Sequence, residues 1–167
     1  MNRKLLVYRI VLCTLALCLM TFIFWQSSKT GETSGTQSEE IVGDVIDVVA
    51  PSLGSDNTVE GWKLKGALHY AFRKVAHVAE FALLSFLVSL FVSTYEMQKW
   101  QIALLSVGFT VLYAASDELH QSFIPGRYAS WKDMGYDSLG AVLGWVCALA
   151  AIWLFYRVIK KRRQKVD

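Results

Sequence analysis

Two of the four apolar stretches in this chain are too short to cross a lipid bilayer unless they take ionisable residues with them. Residues 10–28 and 138–156 each run 19 positions without a charge, whereas residues 81–95 run 15 and residues 101–116 run 16. A spanning helix needs about 20 residues to cross about 30 Å of hydrocarbon. The second span is therefore expected over about 75–94, taking in His77 and Glu80, and the third over about 100–119, taking in Asp117 and Glu118. With a first span at about 5–25 and a fourth at about 136–156, the spacing predicts an all-α, four-helix transmembrane bundle filling one domain, residues 1–167. Ionisable residues inside a membrane mark functional sites by default.

Charge asymmetry orients the bundle. The N-terminal end, the 94–100 turn and the C-terminal tail RVIKKRRQKVD hold ten basic residues against two acids. Residues 26–80 and 117–137 hold twelve acids against seven bases. The positive-inside rule then predicts both termini in the cytoplasm and the ionisable clusters on the extracytoplasmic side of a cell membrane. The formal charge of +3 averages a basic inside and an acidic outside and predicts no nucleic-acid binding. The first apolar run exceeds a usual signal-peptide core and FWQSSK offers no small-x-small cleavage site, so an uncleaved span is expected. Cys13, Cys18 and Cys147 fall within spans and read as buried apolar residues, not as disulfides or zinc ligands.

The long outer loop, 26–74, opens polar, as SSKTGETSGTQSEE. EEIVGDVIDVVA then sets Ile41, Val45, Val48 and Val49 at helical spacing opposite Asp44 and Asp47. This predicts a short amphipathic helix on the outer surface or capping the bundle, with a loop of weak helicity as the alternative. PSLGSDN reads as a turn, and GWKLKGALHYAFRK leads into the second span with Trp62 and Tyr70 as interface anchors.

The chemistry lies on helical stripes. His77 and Glu80 are i,i+3 and share a face, with Arg73 one turn above His77 and Lys74 beside it. Ser106, Thr110, Tyr113, Asp117 and His120 form one polar stripe on an otherwise apolar span, which is expected to face inward because lipid offers it no partner. Asp133 and Asp137 stand above Gly140 and Gly144 on one stripe, a small-xxx-small seam that permits close helix approach. The turn at Pro125–Gly126 sets Arg127 over the mouth of the bundle, where arginine suits bidentate contact with a carboxylate or phosphate.

Three blocks of this sequence resemble a known family. They are RKVAHVAEF, with Arg73, Lys74, His77, Glu80 and Phe81; DELHQSFIPGR, from Asp117 to Arg127; and DMGYDSLGAVLG, with Asp133, Asp137, Gly140 and Gly144. Together with QSSKTGETS after the first span, they look like the VanZ-like integral membrane proteins, over about residues 20–150; Met134 stands where a branched aliphatic is usual. The resemblance implies a bacterial cell-envelope protein of about four helices. The founding member is associated with low-level resistance to the glycopeptide teicoplanin without rebuilding the peptidoglycan precursor. The resemblance names no reaction.

Four functional classes compete for these residues. An enzyme at the outer leaflet would act on a lipid-linked or cell-wall substrate. His77, Glu80, Asp117 and Asp137 would be its catalytic core, Arg73, His120, Gln121 and Arg127 its substrate contacts, and Glu118 and Asp133 their supports. Such a donor set can hold a divalent cation, although there is no HExxH and no cysteine pair. A non-catalytic envelope binder would use the same cluster to recognise a headgroup or a wall component. Transport is disfavoured because the inner halves of the spans carry only serines. Structurally, Ser116 or Asp117 can end a helix, Asp133 can N-cap the fourth span, and Ser106 and Thr110 can satisfy themselves on backbone. The bilayer is the one partner that the sequence requires.

Overall fold

The structure, a computed structural model, describes residues 3–54 and 58–163. The PSLGSDN turn and the end of the basic tail lie partly outside the described residues. Helices alone occur among the described residues: α1 (Arg3–Ser27), α2 (Gly31–Val49), the single turn α3 (Pro51–Gly54), α4 (Val59–Val92), α5 (Lys99–Gln121) and α6 (Trp131–Arg163). Four segments, Arg3–Ser27, Val59–Val92, Lys99–Gln121 and Trp131–Val158, are long and apolar enough to cross a membrane. Leu17, Trp25, Leu104, Leu112 and Leu154 stand more than half exposed on their outer faces. Water would penalise so much apolar surface, whereas lipid matches it.

Local chemistry sets the helix starts. Thr30 Oγ1 accepts from the Thr33 N–H at 3.3 Å and Thr58 Oγ1 from the Gly61 N–H at 3.1 Å, each serving an orphan donor of a first turn. At the start of α5 the Gln98 N–H donates to Gln101 Oε1 at 2.8 Å. Ser130 precedes α6, and its carbonyl takes the N–H groups of Asp133 and Met134. Asp133 is therefore not the N-cap. It lies in the first turn of α6, where an acid suits the helix dipole.

The broadest packing is between α4 and α6, through the glycine seam. A Cβ on Gly140 would collide with the Val78 carbonyl, and one on Gly144 with the Ala82 carbonyl. Ile23, Phe81, Leu84 and Ala114 join α1, α4 and α5 in one fully buried cluster. The Tyr113 hydroxyl donates to the Met20 carbonyl at 2.6 Å. Ser106 and Thr110 are wholly buried and donate to the carbonyls one turn back, as their positions predict. Near the start of α1, Arg9 donates to the side chain and the carbonyl of Thr94, each at 2.8 Å, and lies over the Tyr95 ring. At its other end Ser27 bonds Asp117. The helices thus alternate in direction, and one end of the bundle gathers the end of α1, the middle of α4, the end of α5 and the start of α6.

α4 has 34 residues, about 50 Å of helix, well beyond a bilayer core. Its first turns carry α2, whose Ser38 carbonyl lies 3.2 Å from His69 Nδ1. The segment between the first two spans is thus largely helical. Its packing differs from expectation: α2 buries Ser38, Val42 and Ile46, while Ile41, Val45, Val48 and Val49 stay exposed. The helix is apolar over two adjacent stripes, and the bundle takes only one of them. The cysteines also differ, since Cys13, Cys18 and Cys147 are exposed on the outer, lipid-side surface and are not buried.

Candidate functional site

Asp117 anchors this end of the bundle. It is 3% exposed, and its Oδ2 accepts from Ser27 Oγ at 2.8 Å and from Gln121 Nε2 at 2.6 Å. Its Oδ1 is buried without a hydrogen-bond partner. Helical spacing explains the arrangement, because Gln121 is one turn below Asp117 on α5 and Ser27 closes α1 against both. Gln121 therefore faces Asp117 across a hydrogen bond and is not on the wall of the neighbouring cavity. Nor is His120, whose ring stacks on Phe24 at 4.4 Å and sits 3.1 Å from Ser28 Oγ.

On the other side of Ser27 lies a cavity of about 160 Å³. Its walls are Gln26, Ser27 and Lys29 from the end of α1, Ser34, Gln37, Ser38 and Ile41 from α2, Phe72, Arg73, Ala76, His77 and Glu80 from α4, and Arg127 from the α5–α6 loop. The i,i+3 and i,i+4 spacing of Arg73, Ala76, His77 and Glu80 puts all four on one stripe of α4. The α5–α6 loop is fixed at three points. Gly126 takes a left-handed φ of 75°, the Gly31 N–H donates to the Pro125 carbonyl at 3.1 Å, and the Ser130 N–H donates to Glu118 Oε2 at 2.8 Å. Gly31 is so close to the loop that a Cβ there would collide with the Gly126 carbonyl. Glu118 thus latches the loop that carries Arg127.

Arg127 is held but not saturated. One Nη donates to the Gln26 carbonyl at 3.3 Å, and its Nε is buried without a partner. Burial lowers its pKa from the ordinary arginine value; the nearby Arg73 charge pushes the same way, while Asp117 and Glu118 oppose. Lys29 reaches Gln26 and, at 3.0 Å, Gln37, beneath the face of Trp25.

Asp137 stands behind His77. It is 1% exposed, neither carboxylate oxygen has a hydrogen bond, and Oδ1 is 3.7 Å from His77 Nδ1. Lys74 pairs with Asp133, and a small cleft gathers Lys74, His77, Asp133, Tyr136 and Asp137. His77 therefore borders both the cleft and the cavity.

Of the residues singled out from sequence, Arg73, His77, Glu80 and Arg127 share the cavity wall. Asp117 and Asp137 are sealed next to it, and Gln121, Glu118 and Asp133 hold neighbouring groups. The sequence reading passed over Ser27, Lys29 and Phe72 as wall residues. The cluster QSSK directly after an apolar run was the available signal for the first two. Among the described residues no group of three or more His, Cys, Asp or Glu side chains is placed to hold a metal ion.

In comparisons with known proteins, the family model described as VanZ/LLP1 matches residues 12–156. No curated protein and no solved structure matches the chain.

Proposed function

Because the chain belongs to the VanZ/LLP1 family and is a multi-pass membrane protein, we propose that it is a bacterial envelope protein whose polar cavity receives the headgroup of a lipid or a cell-wall component. The cavity lies on the extracytoplasmic side in this reading, with both termini in the cytoplasm. The observation that carries it is the meeting of Arg73, Arg127 and Lys29 with His77 and Glu80 around one cavity at the bundle end. Cations on the wall supply affinity for an anionic group, and His77 and Glu80 supply proton acceptors within its reach.

Cavity size limits what enters. Sites for drug-sized ligands run about 300–1,000 Å³, and about 160 Å³ holds far less. A glycopeptide antibiotic does not fit inside. Any link to glycopeptide resistance runs through an envelope component that the protein binds or alters.

Modification of the bound group is favoured by one further observation, the two unbonded oxygens of Asp137 beside His77 Nδ1. At 3.7 Å the acid makes no hydrogen bond to the ring, but a small approach would let it orient the imidazole and leave the other nitrogen for the ligand. The test replaces Glu80→Gln and Asp137→Asn and follows envelope lipids and wall fragments by mass spectrometry. Loss of a product in both variants, with normal membrane insertion, establishes an enzyme. Unchanged composition with lost ligand binding establishes a receptor. Unchanged composition and unchanged binding reject the site.

A further inference from the structure

Two guanidinium groups converge on this cavity from different elements, Arg73 from the middle of α4 and Arg127 from the α5–α6 loop. Among the described residues Lys74 pairs with Asp133 and His77 lies 3.7 Å from Asp137, and neither Arg73 nor Arg127 takes part in an ion pair. Burial, and after it the Arg73 charge, lowers the Arg127 pKa from its ordinary value. Two like charges are thus kept on one half-buried wall, neither held in an ion pair among the described residues, although Asp117 and Glu118 lie near enough to Arg127 to offset part of the repulsion. The buried Nε of Arg127 has no acceptor, although a guanidinium offers its donors along fixed edges. Lys29 adds a third positive group to the same wall.

Resting on the headgroup reading above, we propose that the occupant is a phosphoryl group, specifically a phosphomonoester, bridging Arg73 and Arg127. A carboxylate has two oxygens in one plane and is satisfied by one arginine fork. A phosphomonoester presents three outer oxygens in a tetrahedral array and carries about −1.5 to −2 charges at neutral pH, so it can take both forks and the Lys29 ammonium at once. A cavity of about 160 Å³ is below the usual size of a site for a drug-sized ligand, about 300–1,000 Å³, and suits a phosphate and its ester link better than a sugar–peptide unit. The organic part of the ligand therefore lies outside the cavity, as it does when a phosphate ends a lipid.

The full-length protein is reconstituted in phosphatidylcholine nanodiscs. Calorimetry measures binding of inorganic phosphate, of acetate and of a dipeptide with a free C-terminal carboxylate. A parallel thermal-unfolding series adds phosphatidic acid, a phosphomonoester lipid, or phosphatidylglycerol, a diester, to the discs. Phosphate is expected to bind, and phosphatidic acid is expected to raise the unfolding temperature above phosphatidylglycerol. Arg73→Gln and Arg127→Gln are each expected to weaken phosphate binding by about tenfold to a hundredfold, with Arg127→Lys falling between. Inorganic phosphate binding without a phosphatidic acid effect assigns the site to a soluble phosphoester. Arginine-dependent binding of the dipeptide or acetate in place of phosphate overturns the phosphoryl assignment and leaves the headgroup-or-wall reading standing. Binding that ignores both arginines, or none to any probe by folded protein, overturns both.

Discussion

Asp117 is sealed at the bundle end, with one oxygen shared between a serine of α1 and a glutamine of its own helix. A hydrogen bond to a charged group is worth about 1.5–3 kcal/mol, and a buried acceptor that loses its donor bears the desolvation cost. Ser27→Ala is therefore expected to destabilise the protein by about 1.5–3 kcal/mol. Thermal unfolding in detergent checks this, and an unchanged midpoint would show that the bond carries no weight. The sequence already exposed His77, Glu80, Asp117, Asp137 and Arg127, because charge is costly where apolar runs are short. Ser27 was hidden for the opposite reason: a serine at a span end can satisfy itself on backbone, as Ser28 does on Phe24. Its tie to Asp117 exists only in the tertiary structure.

Elements meet here through what their faces omit. α6 approaches α4 so closely at Gly140 and Gly144 that a methyl group at either would overlap a carbonyl of α4. Gly144→Ala must force the helices apart, and overpacking typically costs about 1–3 kcal/mol. Gly135→Ala, on the same helix with open space around its Cβ position, is expected to be neutral or stabilising by up to about 1 kcal/mol. The pair of midpoints tests the seam against simple helix propensity, and equal shifts would refute the seam. This seam was legible in the spacing of Asp133, Asp137, Gly140 and Gly144, as was the buried stripe of Ser106, Thr110 and Asp117. The packed face of α2 was not. Periodicity finds that a helix is apolar, but Val42 and Ile46 adjoin Ile41 and Val45, and only the neighbours decide which pair is covered.

At the scale of the whole molecule the open question is which way the bundle faces. Basic residues outnumber acids at the end opposite the cavity, so the positive-inside rule predicts an outward-facing cavity. Glu39→Cys, on the exposed side of α2, is expected to react with a membrane-impermeant maleimide in intact cells. Glu96→Cys, in the α4–α5 turn, is expected to react only after permeabilisation, and the reverse pattern would invert the topology. Cys13, Cys18 and Cys147 lie within spans and give little background. The short contact between Gly31 and the Pro125–Gly126 turn has a consequence for biogenesis. At about 5–20 residues per second, Gly31 emerges from the ribosome several seconds before its partner. The nascent chain must therefore hold a half-walled pocket open to its surroundings until the final hairpin arrives, and a ribosome that stalls before residue 125 leaves an inserted protein that has no mouth.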